Sequence, residues 1–278
     1  MRIFLLTLML MLSLPTASAN AGGPLRISVD HARRAQGEFF TVTLATAAAD
    51  PSVLFLNQHY RMFRQPDGSW QARVPVENLT PPARYPLLVL DADSAGNAQV
   101  TVLSSNLPIQ HITLDPSKQE LHATEREKSR VKAALHAESP ENLASGRFLR
   151  PAEGETSGRF GLKRSYNGGP VESYHKGLDI AAPMGAPVRS MARGTVILTG
   201  RVEEGFMVHG NTVIIDHGQG LTSIYMHLSS ITAKEGQSVE PGELIGKVGH
   251  TGISTAPHLH WGTYLYGTSV NPELFEVH

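Results

Sequence analysis

Beyond its leader, this chain carries its apolar residues in short runs set off by turn formers, a rhythm that points to strands rather than long helices. Strand-like runs fall at Leu25–Val29, Phe39–Leu44, Val53–Leu56, Tyr60–Phe63, Trp70–Val76, Tyr85–Leu90 and Ala98–Leu103, with turn signals at Pro66–Ser69 and Asp93–Asn97. Roughly seven strands at this spacing predict a small β-sandwich over residues 22–112. The composition then changes: Asp115 reads as an N-cap, Pro116 as the first helical residue, and a charged run to Glu138 carries Leu121, Val131 and Leu135. This predicts a helix within a linker over 113–147, long enough for one domain to swing over the other. From Phe148 onward glycine-rich sequence returns with strands expected at Pro187–Leu198, Asn211–Asp216, Leu221–Leu228 and Glu243–Val248, and with a hairpin turn at Asp216–Gly220. Residues 148–278 are therefore expected to form a mostly antiparallel β domain.

The first residues read as a secretory leader over 1–21: Met1-Arg2, an apolar run from Ile3 to Leu14, then Ala17-Ser18-Ala19-Asn20-Ala21, with cleavage after Ala19 or Ala21. The run falls short of the ~20 apolar residues a spanning helix needs, so no transmembrane anchor is expected after cleavage and the destination is periplasmic or secreted. With 24 basic against 25 acidic residues the chain has no broad positive surface, which argues against a nucleic-acid partner. The sequence has no cysteine, so any metal must be held by nitrogen and oxygen.

Histidine is unevenly distributed: of 13, eight lie from His175 to the C-terminus. Two patterns stand out there, His175-Lys176-Gly177-Leu178-Asp179 and His258-Leu259-His260. Residues i and i+2 of a strand share a face, so His258 and His260 can point into one cleft. Gly177 and Ala181-Ala182-Pro183 disfavour a helix around His175, leaving a loop that enters a strand. Two imidazoles and one carboxylate would leave the fourth tetrahedral position open, the pattern of catalytic zinc. His31 and His59 have no neighbour at ligand spacing and read as structural.

The runs His175–Pro183, Tyr225–Leu228 and Thr251–Gly262, in this order and spacing, resemble the lysostaphin-type, LytM-like zinc metallopeptidases, with the resemblance covering about Phe148 to Pro272. Arg159–Gly168 is similar to the lead-in of the Gram-negative members. The chain is thus expected to be mainly β, with an N-terminal Ig-like β-sandwich and a helical linker read from the strand and capping patterns, and a C-terminal LytM-like antiparallel β catalytic domain implied by the resemblance. The resemblance also implies Zn2+ held by His175, Asp179 and His260, with His227 and His258 as catalytic histidines and Tyr166, ahead of Tyr174, assisting oxyanion stabilisation. No H-E-x-x-H glutamate is present, so a histidine base is chemically consistent with that assignment. The expected activity is hydrolysis of peptide cross-links in peptidoglycan, with the stem peptides as partner and a regulatory protein of unknown identity in addition. The competing expectation is a degenerate, non-catalytic activator of other wall hydrolases, which would lack metal ligands. His209, His217, His250 and His278 fall outside the family's functional positions.

Overall fold

The computed structural model describes residues 25–45, 50–91, 94–113, 121–144, 146 and 148–275. The leader expected over 1–21, the helix start expected at Asp115-Pro116, and His278 lie outside the described residues. The protein is mostly β. In the first half, a four-stranded sheet (Arg26–Asp30, Phe39–Ala45, Trp70–Pro75, Phe63–Arg64) and a five-stranded sheet (Arg33–Ala35, Ser94–Leu103, Ala83–Asp91, Ser52–Phe55, Gln58–Arg61) share an apolar core. Strand alternation builds it: Phe40, Val42 and Leu44 point inward on one strand, as Val53 and Phe55 do on another, while their neighbours face outward. One expectation is corrected. Asp91 pairs with Ser94 and Val89 with Gly96, so Ser94–Asn97 belong to the ladder rather than to a turn.

The second half centres on an eight-stranded sheet running Glu155–Gly158, Leu178–Ala181, His258–Leu265, Leu221–Leu228, Asn211–Gly218, Gly194–Gly200, Ser238–Val239, with Thr268–Val270 paired to His258–Leu265. The run Pro187–Leu198 is not one strand. Pro187–Arg189 pairs with Leu244–Lys247 in a separate sheet, and the chain resumes at Gly194 in the large one. The hairpin after Asn211–Gly218 closes on Gln219 and Gly220, both with positive φ (51° and 76°), the conformation a two-residue hairpin turn demands.

Two features of the linker differ from a flexible tether. Strand Ile109–Ile112, grouped by sequence with the sandwich, pairs in parallel with Lys163–Tyr166 and so joins a sheet of the second half. The helix spans Glu125–Leu135, with the Thr124 hydroxyl accepting from the Glu127 N–H as its cap. Its buried residues Glu127, Val131, Ala134 and Leu135 form one face, and its apolar side packs on Leu198, Ile214, Ile224 and Tyr264 of the large sheet and on Phe206 of the loop before Asn211–Gly218. The sandwich is likewise docked: Tyr60 meets Tyr266 edge-on at 5.2 Å, Phe39 stacks on Phe275 at 5.4 Å, and the Tyr266 hydroxyl donates to Arg61 O at 2.8 Å. A swing of the two halves about the helix would break these contacts. Among the described residues no helix is long and apolar enough to cross a membrane.

Candidate metal centre and catalytic groove

Cross-strand register assembles the centre. Asp179, on Leu178–Ala181, lies directly opposite His260 on His258–Leu265, and residues directly opposite in an antiparallel pair present their side chains on one face. His175 sits in the turn between Val171–Tyr174 and Leu178–Ala181, in a loop before a strand as its neighbours predicted. Its ring is fully buried, and its Nδ1 lies 2.8 Å from Arg159 O. A carbonyl only accepts, so Nδ1 carries the proton and Nε2 presents a lone pair. That lone pair is 3.0 Å from Asp179 Oδ1 and 3.0 Å from His260 Nδ1, while His260 Nδ1 is 2.9 Å from the same carboxylate oxygen.

This triangle of donor atoms is the fit test for a metal. The His175 lone pair faces a carboxylate lone pair with no proton available between them, an arrangement that a cation relieves. Two nitrogens and one oxygen around an open side match a zinc donor set, in which ligand atoms ~2.0–2.2 Å from the ion stand a little over 3 Å apart. Burial would by itself raise the Asp179 carboxyl, but the imidazoles of His175 and His260 packed against Oδ1 outweigh it and favour the ionised carboxylate, well below its usual range. His260 is pushed down to about 4, chiefly by burial, so it stands neutral and able to ligate at neutral pH.

His227 and His258 face each other beside this centre, their ring centroids 5.0 Å apart. Both have Nδ1 at 2.8 Å from a backbone carbonyl, Thr251 O and Ala256 O respectively, which leaves each Nε2 free of that bond. The route by which His227 reaches the groove is unusual. Met226 pairs with His260 and Tyr225 with Trp261, so regular alternation would send His227 to the Tyr225 face, away from His260. Instead His227 adopts φ 63°, a left-handed conformation uncommon outside glycine, and its ring lies 6.1 Å from that of His260. Burial, then the neighbouring His260 and His258, hold His227 well below the ordinary imidazole range, so its ring is neutral at neutral pH.

The groove encloses about 150 Å³ and is lined by Asp179, His227, His258 and His260 together with Gln110, Ile112, Arg164, Tyr166, Ile253 and Thr255. Tyr166 lies on its rim, partly exposed, with Arg164 Nη1 at 3.4 Å from its hydroxyl. Tyr174, the other tyrosine weighed from sequence, is buried, with its hydroxyl 3.0 Å from Ser269 Oγ. His250 bonds Ser254 Oγ, and His217 is buried between Arg193 O and Ser223 Oγ. Arg164, quoted in the lead-in motif without a role, reaches within 3.9 Å of Asp179 Oδ2 and 3.4 Å of Gln110 Oε1. Gly177 is also part of the site: a Cβ there would lie 2.6 Å from His260 Nε2 and 2.5 Å from Trp261 O, so only glycine lets the His175 loop close over that ring. Its place inside the His175–Asp179 motif was the one signal the sequence offered for it.

A β-groove carrying a His-Asp-His donor set beside two further histidines defines a metallopeptidase-type centre, and the comparisons give the family. Peptidase family M23 matches residues 173–272. The crystal structure of a peptidase M23 from Pseudomonas aeruginosa superposes with a TM-score of 0.66 at 31% identity, over 87% of this chain and 93% of that one. The DD-carboxypeptidase/endopeptidase Mpg of Neisseria meningitidis is 47% identical over 98 residues, 35% of this chain and 22% of that protein. The peptidoglycan DD-endopeptidase ShyA of Vibrio cholerae is 41% identical over 97 residues, again 35% of this chain and 22% of that protein. The chain thus spans about a fifth of the length of these curated relatives. It belongs to peptidase family M23.

Proposed function

We propose that the protein is an exported zinc endopeptidase that hydrolyses peptide cross-links of bacterial peptidoglycan during wall remodelling, acting in the periplasm or outside the cell. The observation that carries this reading is the convergence of His175, Asp179 and His260 within 3.0 Å of one another, beside two histidines whose Nε2 atoms are free of the backbone. Two relatives named as DD-endopeptidases support the substrate class. A degenerate activator would not need a complete donor set, so the filled positions favour catalysis over that alternative. The division into sandwich (22–112), helical linker (113–147) and catalytic domain (148–278) is part of the same proposal.

His175, Asp179 and His260 would hold the ion, whose chemistry there is Lewis acidity and a nucleophilic water at neutral pH. The neutral Nε2 of His227 accepts the proton that attack releases, since its Nδ1–H is committed to Thr251 O. His258, its Nδ1–H committed to Ala256 O, keeps Nε2 at 3.6 Å from Asp179 Oδ1 and within reach of a reacting carbonyl or amine. Tyr166, which lines the groove, would donate its hydroxyl to a developing oxyanion. Arg164 orients the second carboxylate oxygen of Asp179. The test is mass spectrometry of the soluble products released from purified sacculi by metal-loaded protein, with chelated protein as control. New amino termini at cross-links, lost on chelation, are expected; unaltered sacculi with fully loaded protein would overturn the reading.

A further inference from the structure

Thr124-Glu125-Arg126-Glu127 has the spacing of a capping box, in which the acid at the third helical position turns back to the N-cap N–H. Glu127 does something else. Its fully buried carboxylate leaves the helix and accepts from the backbone N–H groups of Met207 (3.0 Å), Val208 (3.1 Å) and His209 (2.8 Å) and from the ring Nδ1 of His209 (2.6 Å). Thr124 adds a hydroxyl bond to Gly205 O at 3.0 Å, so the first turn of the linker helix grips the loop before Asn211–Gly218. Burial opposes the charge on Glu127, but the bonds from the His209 ring and the loop backbone outweigh it and keep the carboxyl below its ordinary range.

The clamped loop is in turn the support of the groove. His209 O accepts from the His227 N–H at 3.1 Å, and Val208 O accepts from the N–H of Ile253, a lining residue, at 3.0 Å. His227 needs such a support because its left-handed backbone is intrinsically unfavourable and persists only where surroundings over-determine it. We propose that Glu127 is a positioning residue for the hydrolytic reaction: through the 207–209 loop it holds His227 in the strained backbone conformation that turns its ring toward the metal centre. The linker helix is then a working part of the active site rather than a spacer. This inference rests on the reading of His227 as the proton acceptor.

The test uses the full-length, zinc-loaded protein on a soluble cross-linked muropeptide, comparing wild type with Glu127→Gln, Glu127→Asp, His227→Ala and the Glu127→Gln/His227→Ala double variant. Zinc content and melting temperature are measured on each, and Glu125→Gln on the exposed side of the same helix turn serves as control. Glu127→Gln turns an amide donor toward N–H donors. It should keep its zinc and lower kcat on the order of 10- to 100-fold with KM little changed, because a small displacement of a catalytic group is that costly. Glu127→Asp should recover part of the loss, and the His227 Nδ1–H resonance should move in both variants. In the His227→Ala background, Glu127→Gln should cost nothing further, since the group it positions is gone. If His227→Ala is as active as wild type, the assignment of His227 falls. If His227→Ala is inactive while Glu127→Gln runs at the wild-type rate, or if the two losses simply add, the positioning role falls alone. Should Glu127→Gln fail to fold, Glu127→Asp carries the test, and a wild-type kcat with an unmoved His227 resonance overturns the proposal.

Discussion

At the scale of the residue, distance to Asp179 Oδ1 separates the histidines. His175 Nε2 and His260 Nδ1 lie 3.0 and 2.9 Å from it, whereas His258 Nε2 stands back at 3.6 Å and His227 turns its Nδ1 to Thr251 O, so the two groups should fail differently. His175→Ala, Asp179→Ala and His260→Ala should each lose stoichiometric zinc, read by elemental analysis of the purified protein; retention in all three would place the ion elsewhere. His227→Ala and His258→Ala should keep zinc and lose turnover by about 100-fold, the scale of an acid-base group. Metal loss in step with activity in both would make them ligands instead. Gly177→Ala belongs with the first set, because its Cβ would meet His260 Nε2 at 2.6 Å and force that ring out of place.

At the scale of the element, the strand Asn211–Gly218 carries a histidine with a different task. His217 is fully buried and is pushed down to about 4, chiefly by burial, partly opposed by its bond to Arg193 O. Above the unfolded value near 6.5 the ring is neutral in both states and costs nothing. As pH falls through 6.5 the unfolded chain takes up a proton that the folded chain refuses until about 4, so stability is lost across that window, by about 3 kcal/mol from this residue. Urea unfolding at pH 7 and pH 4.5, combined with a ring titration by NMR, checks it; a His217 resonance titrating near 6.5 in the folded protein would refute it. The turn at Tyr266-Gly267 makes a related point. Tyr266 holds φ 49° in a two-residue hairpin where asparagine or glycine is the ordinary choice, and its ring is spent on Tyr60 and Phe63 of the sandwich.

At the scale of the whole molecule, that strained tyrosine ties two sheet systems into one apolar core running from Phe40 and Val53 to Leu259 and Phe275. One cooperative unfolding transition is expected for the full chain in calorimetry. Tyr266→Ala should cost about 3–5 kcal/mol, as large aromatic truncations do, and split the transition in two. Two transitions in the unaltered protein would show that the seam does not couple the halves. Among the described residues, the two sheets of the sandwich supply none of the groove lining, whereas Gln110 and Ile112, on the strand that crosses to Lys163–Tyr166, reach it.

What the linear order determined by itself follows short-range rules. Alternation along a strand put His258 and His260 on one face, glycine and proline around His175 excluded a helix, and turn residues at Gln219-Gly220 closed a hairpin. The mainly β class followed from the same periodicities. Tertiary structure alone decided the rest. The left-handed flip at His227 reverses the face that alternation assigns, and it is held by bonds that His227 donates to Thr251 O and His209 O. Glu127 and His209 meet across 82 positions, a contact no local pattern encodes, and Arg164 and Ile112 acquire a place in the groove only when two distant strands pair. Periodicity assigns a side chain to a face. Which faces close on one another is a property of the packed chain, because it depends on burying surface against partners that sequence distance does not name.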